Sequence, residues 1–205
     1  MALRNRKEVM NHFVTDPSLI QGMDIYIRGE DVKHIKNVLR MKPGEELSVS
    51  NGIDDKEYRC EIAELLDVGT GSGILSILSL MFGAQRALGT DLDPCAIEAV
   101  ADNIKKNNID ESRFKLIIGN IIDDPAVEEE AGYEYDIAVA NILAEVLIPL
   151  MPVLYRHVKQ GGMVITSGII DGRENAVADA MKTAGFEVTG ISTQGEWRCV
   201  TGRKS

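Results

Sequence analysis

The sequence predicts an α/β protein built on a mostly parallel, seven-stranded sheet, preceded by a small β-rich segment. Three observations carry that prediction. From Leu65 onward, short apolar runs alternate with helical patterns, as in a βαβ sheet protein. A glycine turn, Gly69-Thr70-Gly71-Ser72-Gly73, joins the first run to the first helix. The last two strand-like runs meet at Gly195, a hairpin signal.

The elements follow in order. Leu65 to Val68 reads as a buried strand, and Ile74 to Phe82 as an apolar helix closed by Gly83. Ala87 to Thr90 is a second strand. Asp93 then caps a helix that starts at Pro94 and runs to about Asn107. Phe114 to Gly119 and Tyr135 to Asn141 are strands three and four, the fourth apolar enough for a central parallel strand. A helix from Ala144 towards Val158 is expected to kink or restart at Pro149 and Pro152 and to end at Gly161-Gly162. Met163 to Ile169 is strand five and Glu174 to Ala184 a helix. Phe186 to Ser192 and Trp197 to Gly202 form the terminal hairpin. Upstream, Ile25 and Ile27, Leu47 and Val49, and Tyr58, Cys60 and Ile62 alternate with period two. A helical segment, Glu30 to Met41, carries Val32, Ile35, Val38 and Leu39 on one face. Two domains are expected, 1–64 and 65–205.

Composition narrows the function classes. The 205 residues carry 22 basic and 32 acidic side chains, a net charge of −10. Most of the excess falls after Glu64, and a surface of that sign repels nucleic-acid phosphates. No apolar run is long enough for a transmembrane helix, and the basic N-terminus has no apolar stretch behind it, so neither membrane span nor signal peptide is expected. Cys60, Cys95 and Cys199 are widely spaced without partner histidines, which argues against a zinc site or a disulfide framework and fits the cytoplasm.

The chemistry is expected at the strand ends. The glycine loop reads GxGxG, with Ile74 where a dinucleotide loop has its third glycine, and the carboxylate of Asp67 precedes it. That pairing favours a ligand with an ammonium group and no phosphate, as at the methionine end of S-adenosyl-L-methionine. Gly69, Gly71 and Gly73 let the backbone approach such a ligand closely. Asp91, ending strand two, could accept from both ribose hydroxyls of an adenosine, and Asn120, after strand three, could face its adenine edge or simply hold a turn. Asn141 ends strand four beside the topological switch point, where ligands of open α/β sheets bind. A sheet finished by an antiparallel hairpin, rather than by another parallel strand, points to methyl transfer over hydride transfer. His157 is expected to serve as a cation at a helix C-terminus, not as a general base. No metal site is expected.

Residues 65–205 resemble the catalytic domain of the ribosomal protein L-eleven methyltransferase (PrmA) family. The resemblance rests on Leu66-Asp67-Val68-Gly69-Thr70-Gly71-Ser72-Gly73-Ile74-Leu75, Gly89-Thr90-Asp91-Leu92-Asp93-Pro94 and Ala140-Asn141-Ile142-Leu143-Ala144. It extends to Ser167-Gly168-Ile169 and to Gly195-Glu196-Trp197 leading into Thr201-Gly202-Arg203-Lys204. The resemblance implies a Rossmann-like class I methyltransferase, Gly69, Asp91 and Asn141 as cofactor contacts, and a ribosomal protein amine as substrate. Asn141 is then the candidate catalytic residue, orienting the amine. The family's GTxxHxTT segment ahead of the glycine loop, and its N-terminal substrate-recognition domain, have no counterpart here.

Residues 10–64 are similar instead to the PUA-like start of RsmE-type 16S rRNA uridine methyltransferases. The matching stretches are His12-Phe13-Val14, Gly29-Glu30-Asp31, His34-Ile35-Lys36-Asn37-Val38-Leu39-Arg40-Met41 with Pro43-Gly44-Glu45, and Tyr58-Arg59-Cys60-Glu61-Ile62. That resemblance implies a truncated barrel able to contact RNA, with Lys33, Lys36, Arg40 and Lys42 as phosphate contacts or as a solvated helix face. Three readings stay open: a protein amine methyltransferase, an RNA-binding methyltransferase, and a composite chain that binds cofactor weakly without turnover. With no helix ahead of Leu65 to cover the sheet, the Glu30–Met41 stripe is expected to pack there, or two chains to complete each other as a homodimer.

Overall fold

The structure is a computed structural model that describes residues 64–205 in full and, before them, the backbone of residues 12–14, 20–21, 24–25, 47–50 and 58–60. The chain divides into two compact units, Met1–Ile62 and Ala63–Ser205.

In the first unit β1 (His12–Val14) runs parallel to β4 (Leu47–Ser50), which pairs antiparallel with β5 (Tyr58–Cys60). A separate pair, β2 (Ile20–Gln21) and β3 (Asp24–Ile25), is antiparallel. The period-two alternation at Leu47/Val49 and Tyr58/Cys60 thus falls on paired strands. The expected helix over 30–41, with its apolar stripe and its basic residues, lies outside the described residues.

The second unit holds a seven-stranded sheet: β6 (Glu64–Val68), β7 (Arg86–Asp91), β8 (Phe114–Ile118), β9 (Tyr135–Asn141), β10 (Val158–Ile170), β11 (Phe186–Gln194) and β12 (Trp197–Lys204). Their order is β11-β12-β10-β9-β6-β7-β8. The five strands β6 to β10 are parallel, and β12 joins β10 and β11 antiparallel. The chain leaves β6 first in one direction, to β7 and β8, and then in the other, to β9, so the switch point lies between β6 and β9.

Helices cover both faces. On one, α1 (Ile74–Met81) and α2 (Ala96–Lys106) bury Ile77, Leu80, Val100 and Ile104 against Leu65, Ala87, Phe114 and Val139. On the other, α3 (Pro125–Ala131), α4 (Ala144–His157) and α5 (Glu174–Ala184) build the larger core around Leu66, Leu147, Leu150, Met151, Leu154 and Met181, all fully buried. Truncating one of these leucines to alanine costs about 2–5 kcal/mol, through lost transfer energy and the cavity left behind.

Several elements differ from expectation for identifiable reasons. α3 went unanticipated, although Asp124 accepts from the Ala126 N–H at 2.9 Å and Pro125 occupies the first helical turn. The Asp93 carboxylate accepts from the Cys95 N–H at 2.8 Å, but the first turn there is not α-helical and α2 starts at Ala96. α4 continues through Pro149 and Pro152 without a restart. Both prolines are exposed, as is Glu145, so the carbonyls of Glu145 and Ile148 lose their helical donors on the water side. α4 ends at His157, and Gly161-Gly162 instead lie within β10, where its register against β9 shifts between Val158 and Met163.

His157 itself is a correction. It is wholly buried, its Nδ1 bonds the Gly132 carbonyl, and its ring stacks on Tyr133 at 4.9 Å. Burial lowers its pKa, so it is a neutral imidazole and not a cation serving the helix end. That task falls to Lys204, whose Nζ donates to the carbonyls of Tyr155 at 2.6 Å and Val158 at 2.8 Å and sits 4.5 Å from the Tyr155 ring centroid.

Candidate active site

A cleft of about 830 Å³ opens at the C-terminal ends of β6 to β9, straddling the switch point. That volume lies within the roughly 300–1,000 Å³ range of small-molecule sites. Gly69, Asp91, Asn120 and Asn141 all line it, so four of the residues expected from sequence share one wall system. Asp67, Gly71 and Gly73 are not among the residues that line it.

Four amides of the glycine loop are tied into an internal network. Gly69 and Thr70 donate their N–H groups to the Thr90 carbonyl at 2.8 and 3.0 Å, and Gly73 donates to the Thr70 carbonyl at 2.8 Å. The Gly71 N–H donates to Asp91 Oδ2 at 2.7 Å. A dinucleotide loop needs such amides for a pyrophosphate; here these four are already engaged, and the carboxylate among them repels phosphate. These four amides are thus not offered to a phosphate, and the carboxylate disfavours one beside them.

Asp67 braces the loop from behind. Its Oδ2 accepts from Thr70 Oγ at 2.7 Å, Ser76 Oγ at 2.8 Å and the Ser76 N–H at 3.3 Å. Burial raises its pKa against those bonds, and its Oδ1 is buried with no partner. Gly73 is required for packing: a Cβ there would lie 3.0 Å from Phe114 and 3.1 Å from Val100. Gly69 is required by the site, because at φ 73° its absent Cβ would meet Ile142 Cγ2 at 2.5 Å.

Asp91 also holds the turn that follows it, its Oδ1 accepting from the Asp93 N–H at 2.9 Å. Asn120 is committed to its own turn: Oδ1 accepts from the Ile122 N–H at 3.0 Å and Nδ2 donates to Asp123 at 2.7 Å. The Asn141 amide, by contrast, is exposed and makes no hydrogen bond with the described residues.

Sequence reasoning missed several lining residues, among them Leu92, Leu143, Ser167, Gly168 and Trp197. Leu92, Leu143 and Trp197 are 66%, 59% and 48% exposed, which is unusual for side chains so apolar. Each stands within two residues of a strand end, and that position is the signal that separates them from core residues. Ser167 and Gly168 are reached only through the sheet, where Ser167 is the register partner of Asn141. Among the described residues no cluster of His, Cys, Asp and Glu could hold a metal ion, and no helix is long and apolar enough to cross a membrane.

Comparison with known proteins gives two matches along the chain. Residues 53–205 match the model of "Ribosomal protein L11 methyltransferase (PrmA)", and residues 27–67 match that of an RNA methyltransferase PUA domain. A ribosomal protein L11 methyltransferase of Lachnospira eligens is 53% identical over 69% of this chain and 45% of its own length. One from Agathobacter rectalis is 39% identical over 98% of this chain and 65% of its own length. The chain thus spans between about half and two thirds of these relatives. Among solved structures, the ribosomal protein L11 methylase of Lactobacillus delbrueckii subsp. bulgaricus superposes with a TM-score of 0.63 at 32% identity, covering 71% of this chain and 72% of that one. SMU.776, solved in complex with SAH, shares the fold at a TM-score of 0.58 and 11% identity, over 80% of this chain and 57% of that one.

Proposed function

The chain belongs to the ribosomal protein L11 methyltransferase (PrmA) family, and from that premise we propose that its cleft binds S-adenosyl-L-methionine and directs methylation of an amine on ribosomal protein L11 in the cytoplasm. One observation carries the reading. Asp91 and Asn141 face one cleft from the two sides of the switch point, with a carboxylate rather than a free amide presented by the loop at Gly71.

The residues fit the cofactor. Asp91 would accept from the ribose hydroxyls, using the lone pairs its two backbone partners leave open. Gly69 gives the loop its close approach, and Asn120 and the apolar Leu92 flank the place for the adenine. When bound, the cofactor supplies an electrophilic methyl group on a sulfonium. The protein positions the acceptor and keeps water out. Asn141, through its uncommitted amide oxygen, accepts from the incoming amine and aims the lone pair. Leu143, Val146 and Trp197 form an apolar wall suited to the methylene stem of a lysine. Among the described residues no histidine lines the cleft, so the amine sheds its proton to bulk water before it enters and attacks as the neutral base.

The reading is tested by incubating the full chain with labelled S-adenosylmethionine and either L11 or 16S rRNA. Label on L11, lost in Asn141→Ala by a factor of about 10² or more, is the expected outcome. Label on rRNA alone would favour the second reading, to which the PUA-domain match lends support. Cofactor binding without label on either would support the composite reading.

A further inference from the structure

We propose that Gly168 is the positioning residue for the Asn141 amide, an inference that rests on reading Asn141 as the group that holds the methyl acceptor. Gly168 lies in a bulge of β10. The register of β10 against β12 shifts between Thr166 and Ile169, so Ser167 and Gly168 have no partner on β12. Bulges re-aim side chains and are common beside active sites. On its other side β10 stays tied to β9: Ser167 pairs with Asn141, and the Ile142 N–H donates to the Ser167 carbonyl at 3.2 Å.

This arrangement brings the bare Cα of Gly168 directly against the site. A Cβ built there would lie 3.0 Å from Asn141 Oδ1, 2.9 Å from the Ile142 carbonyl oxygen and 3.0 Å from the Ile142 nitrogen. Carbon–oxygen contacts normally begin at about 3.3 Å. With any other residue at 168, either the Asn141 amide or the peptide after it must therefore move. Asn141 has no hydrogen bond among the described residues to restore its orientation. The space beside its amide oxygen is left free by the missing side chain of Gly168. A φ of 75° at Gly168 adds a backbone reason for glycine. Strain and contact are therefore two separate effects, and the test must part them.

Gly172 supplies the control. It too has a positive φ, 86°, but a Cβ there meets nothing within 4 Å. Gly168→Ala, Gly172→Ala, Asn141→Ala and the double variant Asn141→Ala/Gly168→Ala are compared in the full chain. Three readouts are used: affinity for S-adenosylhomocysteine by calorimetry, methylation rate of L11 at saturating cofactor, and the Asn141 side-chain amide cross-peak by NMR. That cross-peak is assigned by its loss in Asn141→Ala. Gly168→Ala is expected to move the cross-peak, to leave cofactor affinity within about threefold, and to slow methylation about tenfold, less than the roughly 10²-fold of a full 1 Å misplacement. Gly172→Ala should leave all three readouts unchanged. The double variant should be no slower than Asn141→Ala alone, since both act through one group. An unmoved cross-peak, or losses that multiply in the double variant, overturns the proposal. Full activity in Asn141→Ala sinks instead the reading of Asn141 on which it rests. If Gly168→Ala does not fold, Gly168→Asn replaces it, because asparagine tolerates positive φ better than other residues with a Cβ. Failure of both to fold would make Gly168 a purely structural residue and end the proposal.

Discussion

The Asp91 carboxylate gives one oxygen to the Gly71 N–H and the other to the Asp93 N–H, so it shapes the loop and faces the cleft at once. A bond between a backbone N–H and an ionised acceptor contributes about 1.5–3 kcal/mol. Asp91→Ala should weaken S-adenosylhomocysteine binding at least tenfold in calorimetry, whereas Asp91→Asn, which keeps one good acceptor, should lose less. Equal affinity in wild type and Asp91→Ala would remove Asp91 from the cofactor site. Asp91 and Asn141 were legible in the sequence because each is a polar residue ending an apolar strand. Asp67 was read as a ligand contact because its carboxylate stands just before the glycine loop. Its actual partners, Thr70 and Ser76, are ordinary loop and helix residues whose hydroxyls turn inward, and no spacing rule announces that. Gly168 was legible only as part of a family resemblance, since its neighbour Asn141 lies on another strand.

At the level of elements, the glycine loop holds two different constraints under one pattern. Gly69 and Gly71 both have positive φ, 73° and 54°, but only Gly69 is crowded. Gly69→Ala must push Ile142 from its place on the cleft wall, while Gly71→Ala adds strain into open space. Cofactor affinity should therefore fall at least tenfold in Gly69→Ala and about threefold or less in Gly71→Ala, with far-UV circular dichroism unchanged in both. Equal losses would mean that backbone strain alone governs the loop. Strands β6 to β9 were read from apolar runs, because parallel strands covered on both faces are apolar along nearly their whole length, while the more exposed β11 and β12 were marked by the turn at Gly195. Helix ends were read less well. Pro149 and Pro152 suggested a break that α4 does not have, since a proline pair on the solvent face costs hydrogen bonds that water can replace.

Across the whole second unit, stability is linked to pH through a residue that does not line the cleft. His157 is buried and neutral, with Nε2 unpartnered and 3.8 Å from Glu128 Oε1. Its pKa in the fold lies below the ordinary value of 6.5. Between those two values the unfolded chain binds a proton that the native state does not, so stability is full above pH 6.5 and falls as pH drops through that window. Asp67, with a raised pKa, acts in the opposite sense, from 3.8 upward. The melting temperature should therefore decline from pH 7.5 to 5.5, and His157→Gln should flatten that decline. A slope that survives the substitution would assign it to another group. The strand order has a last consequence, one of timing. β12 is hydrogen-bonded to β10 on one side and β11 on the other, and Lys204 closes the end of α4. During synthesis, the edge of β10 stays open until residues 197–204 clear the ribosomal exit tunnel. The cleft wall at Trp197 arrives in the same interval, so no nascent chain short of these residues presents a finished site.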